Sequence, residues 1–471
     1  MSLGRRGLLW MALLSFALSM AVSARHVSAA ATGTAYVSDF GAATVTPVAV
    51  STNTAGAPVG VGSNPYGVAI STDRTTAYVT DYGAGAVTPI STATNTPGTP
   101  ISVLTNPAGI AVTPDGGTAL VVDQGSNAVT PIDLATKTAG APIAVGTFPL
   151  DVAIAPDGST AFVTNNGSNT VTPVDLASKT AGAAIAVGSL PQGVAVTPDG
   201  SKAFVANFGD GTVTPIVLST KTAGAAIVAG NGASSLAVTP DGATAYVVNE
   251  LDGTLTPITV ATNTPGAPVA VGSLPRDIAI TPDGSTAYVT LQGSTAVVPV
   301  DLAARTAGAP IAVGLGPVGV GITPDVTTTA LLSSANPAAP GATLTFTASV
   351  TPAPGYGAVQ FAVDGTPVGS PVLLHGGAAT SPPISSLATG THSVTASFTG
   401  ELRYFVSSAT TLRETVSAAA TSAPSTTPTS VPNTGAAAGT TTGPWPQVLV
   451  AAALASFAGV MRRRGRARRH I

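Results

Sequence analysis

Asp73, Asp115, Asp157, Asp199, Asp241, Asp283 and Asp325 each stand 42 residues from the next, with no insertion anywhere in the series. A constant period of this length means one supersecondary unit copied seven times, each copy burying its apolar face against its neighbours. Four short β segments are legible in one unit, Leu190 to Asn231: 193–197, 202–206, 212–216 and 225–229, each bounded by Gly, Pro, Asn or Asp. Four strands in a repeat of this size predict the blade of a β-propeller. An open solenoid needs atypical capping repeats, and none flank this series. The phase points the same way. The pattern begins at Ala35 with a second strand and ends at 319–323 with a first strand, so the two ends are expected to complete one blade by strand exchange.

The segments Tyr78-Val-Thr-Asp, Phe162-Val-Thr-Asn, Tyr246-Val-Val-Asn and Tyr288-Val-Thr-Leu each follow a Thr-Pro-Asp-Gly-like turn. Over about residues 35–325 they resemble the YVTN-repeat β-propellers of prokaryotic cell surfaces. The resemblance implies a seven-bladed fold and leaves the activity open, because propellers host many unrelated functions.

The repeated Asp reads as turn chemistry. In Thr197-Pro-Asp-Gly, Pro presets φ, Asp suits the next position and Gly closes the hairpin. Asp39, Asp81, Asp123, Asn165, Asn207 and Asn249 recur at a strand exit, where short polar side chains bond the local backbone.

Only 8% of the chain is charged, against roughly 25% in ordinary soluble domains, and there is no Cys. Residues 35–325 contain no His, one Glu (Glu250) and three Arg (Arg74, Arg276, Arg305). That is a poor kit for acid–base, nucleophilic or metal chemistry, so no catalytic residue, metal site or cofactor is expected. Nucleic-acid binding is disfavoured as well, since it needs clustered Lys and Arg. Asp210, Glu250 and Asp252 occupy equivalent loops and read as solvated acids ahead of a calcium site. Recognition belongs where side chains vary on a fixed frame, at the loops entering each first strand. The candidate ligand-binding residues there are Tyr66, Asp151, Gln192, Arg276 and Asp277, with Phe40, Tyr82 and Phe208 as neighbouring apolar plates.

The flanking segments supply an address. Arg5 and Arg6 precede an apolar run from Leu8 to about Val22 and then small residues, the layout of a signal peptide over residues 1–30. The propeller is expected over 31–325. Residues 326–417 alternate apolar and polar positions between Pro/Gly turns, as in 344–350 and 358–365, and resemble a bacterial Ig-like repeat domain. Residues 418–443 are an uncharged Thr/Ser/Pro/Ala stalk. Within it Val431-Pro-Asn-Thr-Gly435, followed by an apolar segment at 444–461 and a basic tail at 462–471, resembles an LPxTG-type sorting signal. That resemblance makes Thr434 the residue joined to the cell wall. The apolar segment is long enough to be read as a membrane span held by its cytoplasmic arginines. Nine basic residues cluster at the two ends, leaving a body with nine basic against 21 acidic residues.

Together these features predict an all-β chain, a seven-bladed propeller followed by an Ig-like sandwich, displayed outside the cell. The expected role is non-catalytic binding or adhesion, with the cell wall or membrane as partner at the C-terminus and a glycan or protein at the propeller mouth. A structural envelope or surface-layer component is the first alternative and a lactonase-like propeller enzyme the second.

Overall fold

The computed structural model describes residues 33–323, 328–351, 357–375, 377–399, 406–408 and 411–417. The expected signal peptide, stalk, sorting motif with Thr434, membrane span and basic tail lie outside the described residues, as does the turn at Asp325. Among the described residues no helix is long and apolar enough to cross a membrane.

Seven antiparallel sheets form the propeller, numbered here as blades in chain order. Blade 2 shows the pattern. Its inner strand Pro65–Ile70 pairs with Thr76–Asp81, which pairs with Ala86–Ser91. Blade 1 is assembled from both ends of the ring. Pro317–Ile322 supplies its inner strand and pairs with Thr34–Asp39 through Ala35↔Ile322, Tyr36↔Gly321 and Val37↔Val320. This is the strand exchange the phase of the repeats predicts, and it closes the ring without caps.

The outermost strand departs from the four-strand reading. In every blade it is broken into two two-residue pieces that both pair with the third strand, as Thr54–Ala55 and Val59–Gly60 do with Thr44–Ala49. The cause lies in the third strand. It carries a proline in each copy (Pro47, Pro89 and their equivalents), which has no N–H to offer outward, so the ladder lapses opposite it. A glycine N–H then bonds the proline carbonyl at 2.7 Å, Gly56 to Pro47 in blade 1. A Cβ on Gly56 would lie 3.2 Å from the proline ring, which explains the small residue.

Second strands are almost wholly buried, and one position in them carries a large side chain in each blade: Tyr36, Tyr78, Leu120, Phe162, Phe204, Tyr246 and Tyr288. Each wedges between adjacent sheets, and burying it contributes on the order of 1.5–3 kcal/mol. Three tyrosine hydroxyls also tie blades together, that of Tyr246 in blade 6 by donating to the Leu302 carbonyl of blade 7 at 3.3 Å. Tyr36 donates to Asn95 Oδ1 of blade 2 at 2.7 Å, and Tyr288 of blade 7 donates to Asn53 Oδ1 of blade 1 across the closure.

The repeated turn is built as its residues suggest. Thr197 Oγ1 donates to Asp199 Oδ1 at 2.6 Å, the same oxygen accepts Ser201 N–H at 3.0 Å, and Gly200 adopts φ +67. In blade 3 the hydroxyl of Thr113 holds the Asp115 carboxyl below its ordinary range.

The second domain is a sandwich of a three-stranded and a six-stranded sheet. Phe346–Thr351 and Ala358–Val363 alternate inward and outward, and Phe346, Phe361, Val394 and Phe398 fill its core.

Candidate functional site

Each inner strand slips register at its first residues. In blade 2 Pro65 pairs with Asp81 but Val68 with Val79, and the same shift recurs at 107/110, 149/152, 191/194, 233/235, 275/278 and in blade 1. A β-bulge re-aims the side chains it contains. Here it turns Tyr66, Asp151, Gln192, Arg276 and Asp277 to the throat of the channel, where they line one recess of about 110 Å³ with their neighbours. The strands crowd at this point. A Cβ on Gly67 would stand 2.6 Å from the carbonyl oxygen of Ala108 in the next blade, so only glycine fits.

Hydroxyls on the second strands fix the height of the bulges. Ser38 and Thr80 donate at 2.6 Å to the carbonyls of Tyr66 and Ala108, and Thr290 donates at 2.7 Å to that of Val318. Each bond joins one blade to the next, so the mouth is part of the rigid frame.

The five residues divide into two groups. Tyr66, Gln192 and Arg276 meet. Arg276 Nη1 donates to Gln192 Oε1 at 2.6 Å and to Glu250 Oε2 at 2.9 Å, while Nη2 donates to the Tyr66 hydroxyl at 2.6 Å. The guanidinium also stands 5.9 Å from the Tyr66 ring centroid, within cation–π range. Arg276 belongs to blade 7, Glu250 to blade 6, Gln192 to blade 5 and Tyr66 to blade 2, so one side chain bridges the throat. The side chains of Arg276 and Glu250 are 17% and 15% exposed, which removes most solvent screening from the pair. Burial works against the guanidinium charge, and the Tyr66 hydroxyl and Glu250 carboxylate outweigh it, raising the Arg276 pKa.

Asp151 and Asp277 are framework residues instead. Asp151 accepts the N–H groups of Val152 at 2.8 Å and, from the next blade, Val194 at 3.0 Å. Asp277 accepts the Ser235 hydroxyl at 2.7 Å and Val320 N–H at 2.9 Å, and burial pushes its carboxyl upward. Both staple adjacent inner strands.

An aromatic arc completes the mouth. The rings of Tyr66 and Tyr82 lie 6.0 Å apart at 31°, and those of Phe40 and Tyr82 6.2 Å apart at 50°. The Tyr82 hydroxyl donates to Gln124 Oε1 at 2.6 Å. Phe208 lies outside this trio, close to Gly232. Asp210 and Asp252 each cap one neighbouring backbone N–H, of Ser189 and Asn231, and Glu250 pairs with Arg276, so the three loop acids do not converge. Glu250 and Gln124 are the mouth residues that the sequence reading did not select. Their signal is the 42-residue offset itself, which places both in one ring with Phe40 and Tyr82.

The residue before each inner strand has a left-handed backbone in all seven blades. Asn and Gly fill four of these places, while Phe148, Leu190 and Leu274 adopt φ of 49, 51 and 45 and are exposed on the rim. Large apolar residues are costly in this conformation, by about 1 kcal/mol each.

Residues 331–417 match the family model described as bacterial Ig-like domain (group 3), and residues 180–319 that described as choice-of-anchor I domain. Domains of these types fit a surface protein. A search of curated proteins finds no match. Among solved structures the chain is similar to a periplasmic gluconolactonase of Pseudomonas aeruginosa, with 17% identity, 62% of this chain and 98% of that chain covered, and a TM-score of 0.54. A putative 6-phosphogluconolactonase of Bacteroides fragilis gives 18% identity, 63% and 99% coverage and a TM-score of 0.54. Hydrazine synthase of Kuenenia stuttgartiensis gives 23%, 54% and 88%, with a TM-score of 0.50. At these identities the likeness establishes the propeller fold.

Proposed function

We propose that this chain is a cell-surface binding or adhesion protein. Its propeller is the recognition head, its Ig-like domain the neck, and its C-terminal segment the anchor, with Thr434 as the wall-linked residue. The observation that carries this reading is the mouth. Its few ionisable groups are neutralised by one another or by the backbone, through the Arg276–Glu250 pair and the Asp151 and Asp277 staples. Acid–base catalysis requires a group held ready to exchange a proton with substrate, and a frame of this kind supports binding better. The throat recess of about 110 Å³ is also well below the roughly 300–1,000 Å³ of small-molecule sites, so a partner would rest on the mouth.

The test is a screen of the full chain against envelope glycans and matrix proteins, beside a variant with Phe40, Tyr66, Tyr82 and Arg276 all replaced by Ser. The expected result is a partner held by the parent and lost by the variant. Equal retention by both would remove the mouth from the account. For the anchor, Thr434→Ala is expected to shift the protein from the wall fraction to the membrane fraction; an unchanged wall fraction contradicts the sorting role.

Lactone hydrolysis is the second reading, supported by the gluconolactonase and putative 6-phosphogluconolactonase among the similar structures. Turnover of gluconolactone or its 6-phosphate above the spontaneous rate, abolished by Arg276→Met, would put that reading first.

A further inference from the structure

We propose that the aromatic arc of blades 1 and 2 is a subsite for an uncharged saccharide, a proposal that rests on the mouth being the recognition surface. Phe40, Tyr66 and Tyr82 form one continuous apolar patch, with ring centroids 6.0–6.4 Å apart, and all three remain partly exposed. Partly exposed tyrosines, apolar on the ring and polar at the hydroxyl, are enriched where a protein meets a partner. Beside the patch stand planar hydrogen-bonding groups. Gln124 and Gln192 have their oxygens engaged by Tyr82 and Arg276, and their amide N–H groups meet no acceptor among the described residues.

Charge selects among the ligands such a surface could take. The Arg276 guanidinium is balanced by Glu250, which leaves no net cation for a phosphate, sulfate or carboxylate. Asp151 and Asp277 are occupied by backbone N–H groups and the Ser235 hydroxyl, which leaves neither of them for a cationic ligand, and the exposed acids Asp210 and Asp252 stand on blades 5 and 6, away from the aromatic arc. Apolar plates, neutral amides and a hydroxyl, without net charge, match a molecule with C–H faces and many hydroxyls. The narrow throat keeps a sugar ring on the surface, stacked on Tyr82 with its edges toward Gln124 and Gln192.

Calorimetric titration of the full chain tests this with linear hexasaccharides of glucose, mannose and galactose. Oligogalacturonate and a sulfated hexasaccharide serve as charged controls. Binding of at least one neutral hexasaccharide is expected. Tyr82→Ala weakens it about tenfold or more, whereas Tyr82→Phe, which keeps the stacking face, stays within about threefold. Phe148→Ala, on the opposite arc, leaves it unchanged and controls for folding. Failure of every neutral hexasaccharide to bind at 10 mM overturns the proposal. Binding of the charged probes alone, lost in Arg276→Met, overturns the ligand class but keeps the mouth as recognition surface. Neutral binding that no substitution of Phe40, Tyr66 or Tyr82 weakens overturns both.

Discussion

Blades 1–3 and blades 4–6 share one frame and fill the same buried position with side chains of opposite hydrogen-bond polarity. In the first arc it holds Asp39, Asp81 and Asp123, which accept. Thr44 and Thr46 donate to Asp39 Oδ2 at 3.0 and 2.7 Å, and Thr88 donates to Asp81 at 2.6 Å. In the second arc it holds Asn165, Asn207 and Asn249, whose amides donate to the matching pair of threonines, at 3.0 and 2.8 Å for Asn165. A hydroxyl serves either as donor or acceptor, so the threonine seven residues on accommodates both without change in all six blades, while the one five residues on is replaced by Ala86 and Ala128 in blades 2 and 3. Blade 7 abandons the pair altogether. Leu291 stands at the position and Val298 replaces the threonine, so an apolar contact substitutes for a hydrogen bond.

The difference carries an energetic consequence. Burial pushes the carboxyls of Asp81 and Asp123 up to about 6 and raises that of Asp39, whereas the asparagines have no charge to desolvate. Between the ordinary carboxylate value and about 6, the folded protein holds protons that the unfolded chain has released. The Asp arc is therefore most secure below the ordinary carboxylate value and loses stability as pH rises from there through about 6, above which the loss is complete. The same arc carries the aromatic side of the mouth, while the Asn arc and blade 7 carry Gln192, Glu250 and Arg276.

The largest effect is expected at the seam where the ring closes. Tyr288 is fully buried between blades 7 and 1, so Tyr288→Ala should cost about 3–5 kcal/mol by chemical denaturation, and Tyr288→Phe about 1 kcal/mol. Next is the apolar exception. Leu291→Asn alone should cost about 2 kcal/mol by stranding an amide, and adding Val298→Thr should recover about half of it. Strict additivity of the two changes would break the pairing argument. Asp81→Asn and Asp123→Asn should each add on the order of 1–2 kcal/mol at pH 7.5 and flatten the difference between pH 4.5 and 7.5. The reverse change, Asn207→Asp, should introduce that pH dependence where it was missing. The smallest effect is on the rim. Leu274→Asn relieves a left-handed leucine and should add about 0.5–1 kcal/mol, measured as a rise in Tm.

Much of this was legible in the residues. The 42-residue period, the Thr-Pro-Asp-Gly turn and the phase of the first and last strands were sufficient for the ring, its closure and the role of the repeated Asp. The broken outer strand was not apparent, because the proline that interrupts it sits one strand away. At the mouth, Tyr66, Gln192 and Arg276 converge because the bulge turns them together. Asp151 and Asp277 look alike in sequence but bond the next blade's backbone, a partner 43 residues away that no local pattern reveals. Glu250 was legible only as a loop acid until Arg276 was seen to cross the channel.

Hydrogen–deuterium exchange of the full chain with and without a bound partner tests the central claim, that the varied mouth on the repeated frame is where this protein recognises what it binds. Protection is predicted in the loops at 40–43, 62–66 and 82–85, with the turns at the opposite end of the channel, around Asp115, Asp157 and Asp199, unchanged. Protection confined to those turns, or to the sandwich at 331–417, would contradict it.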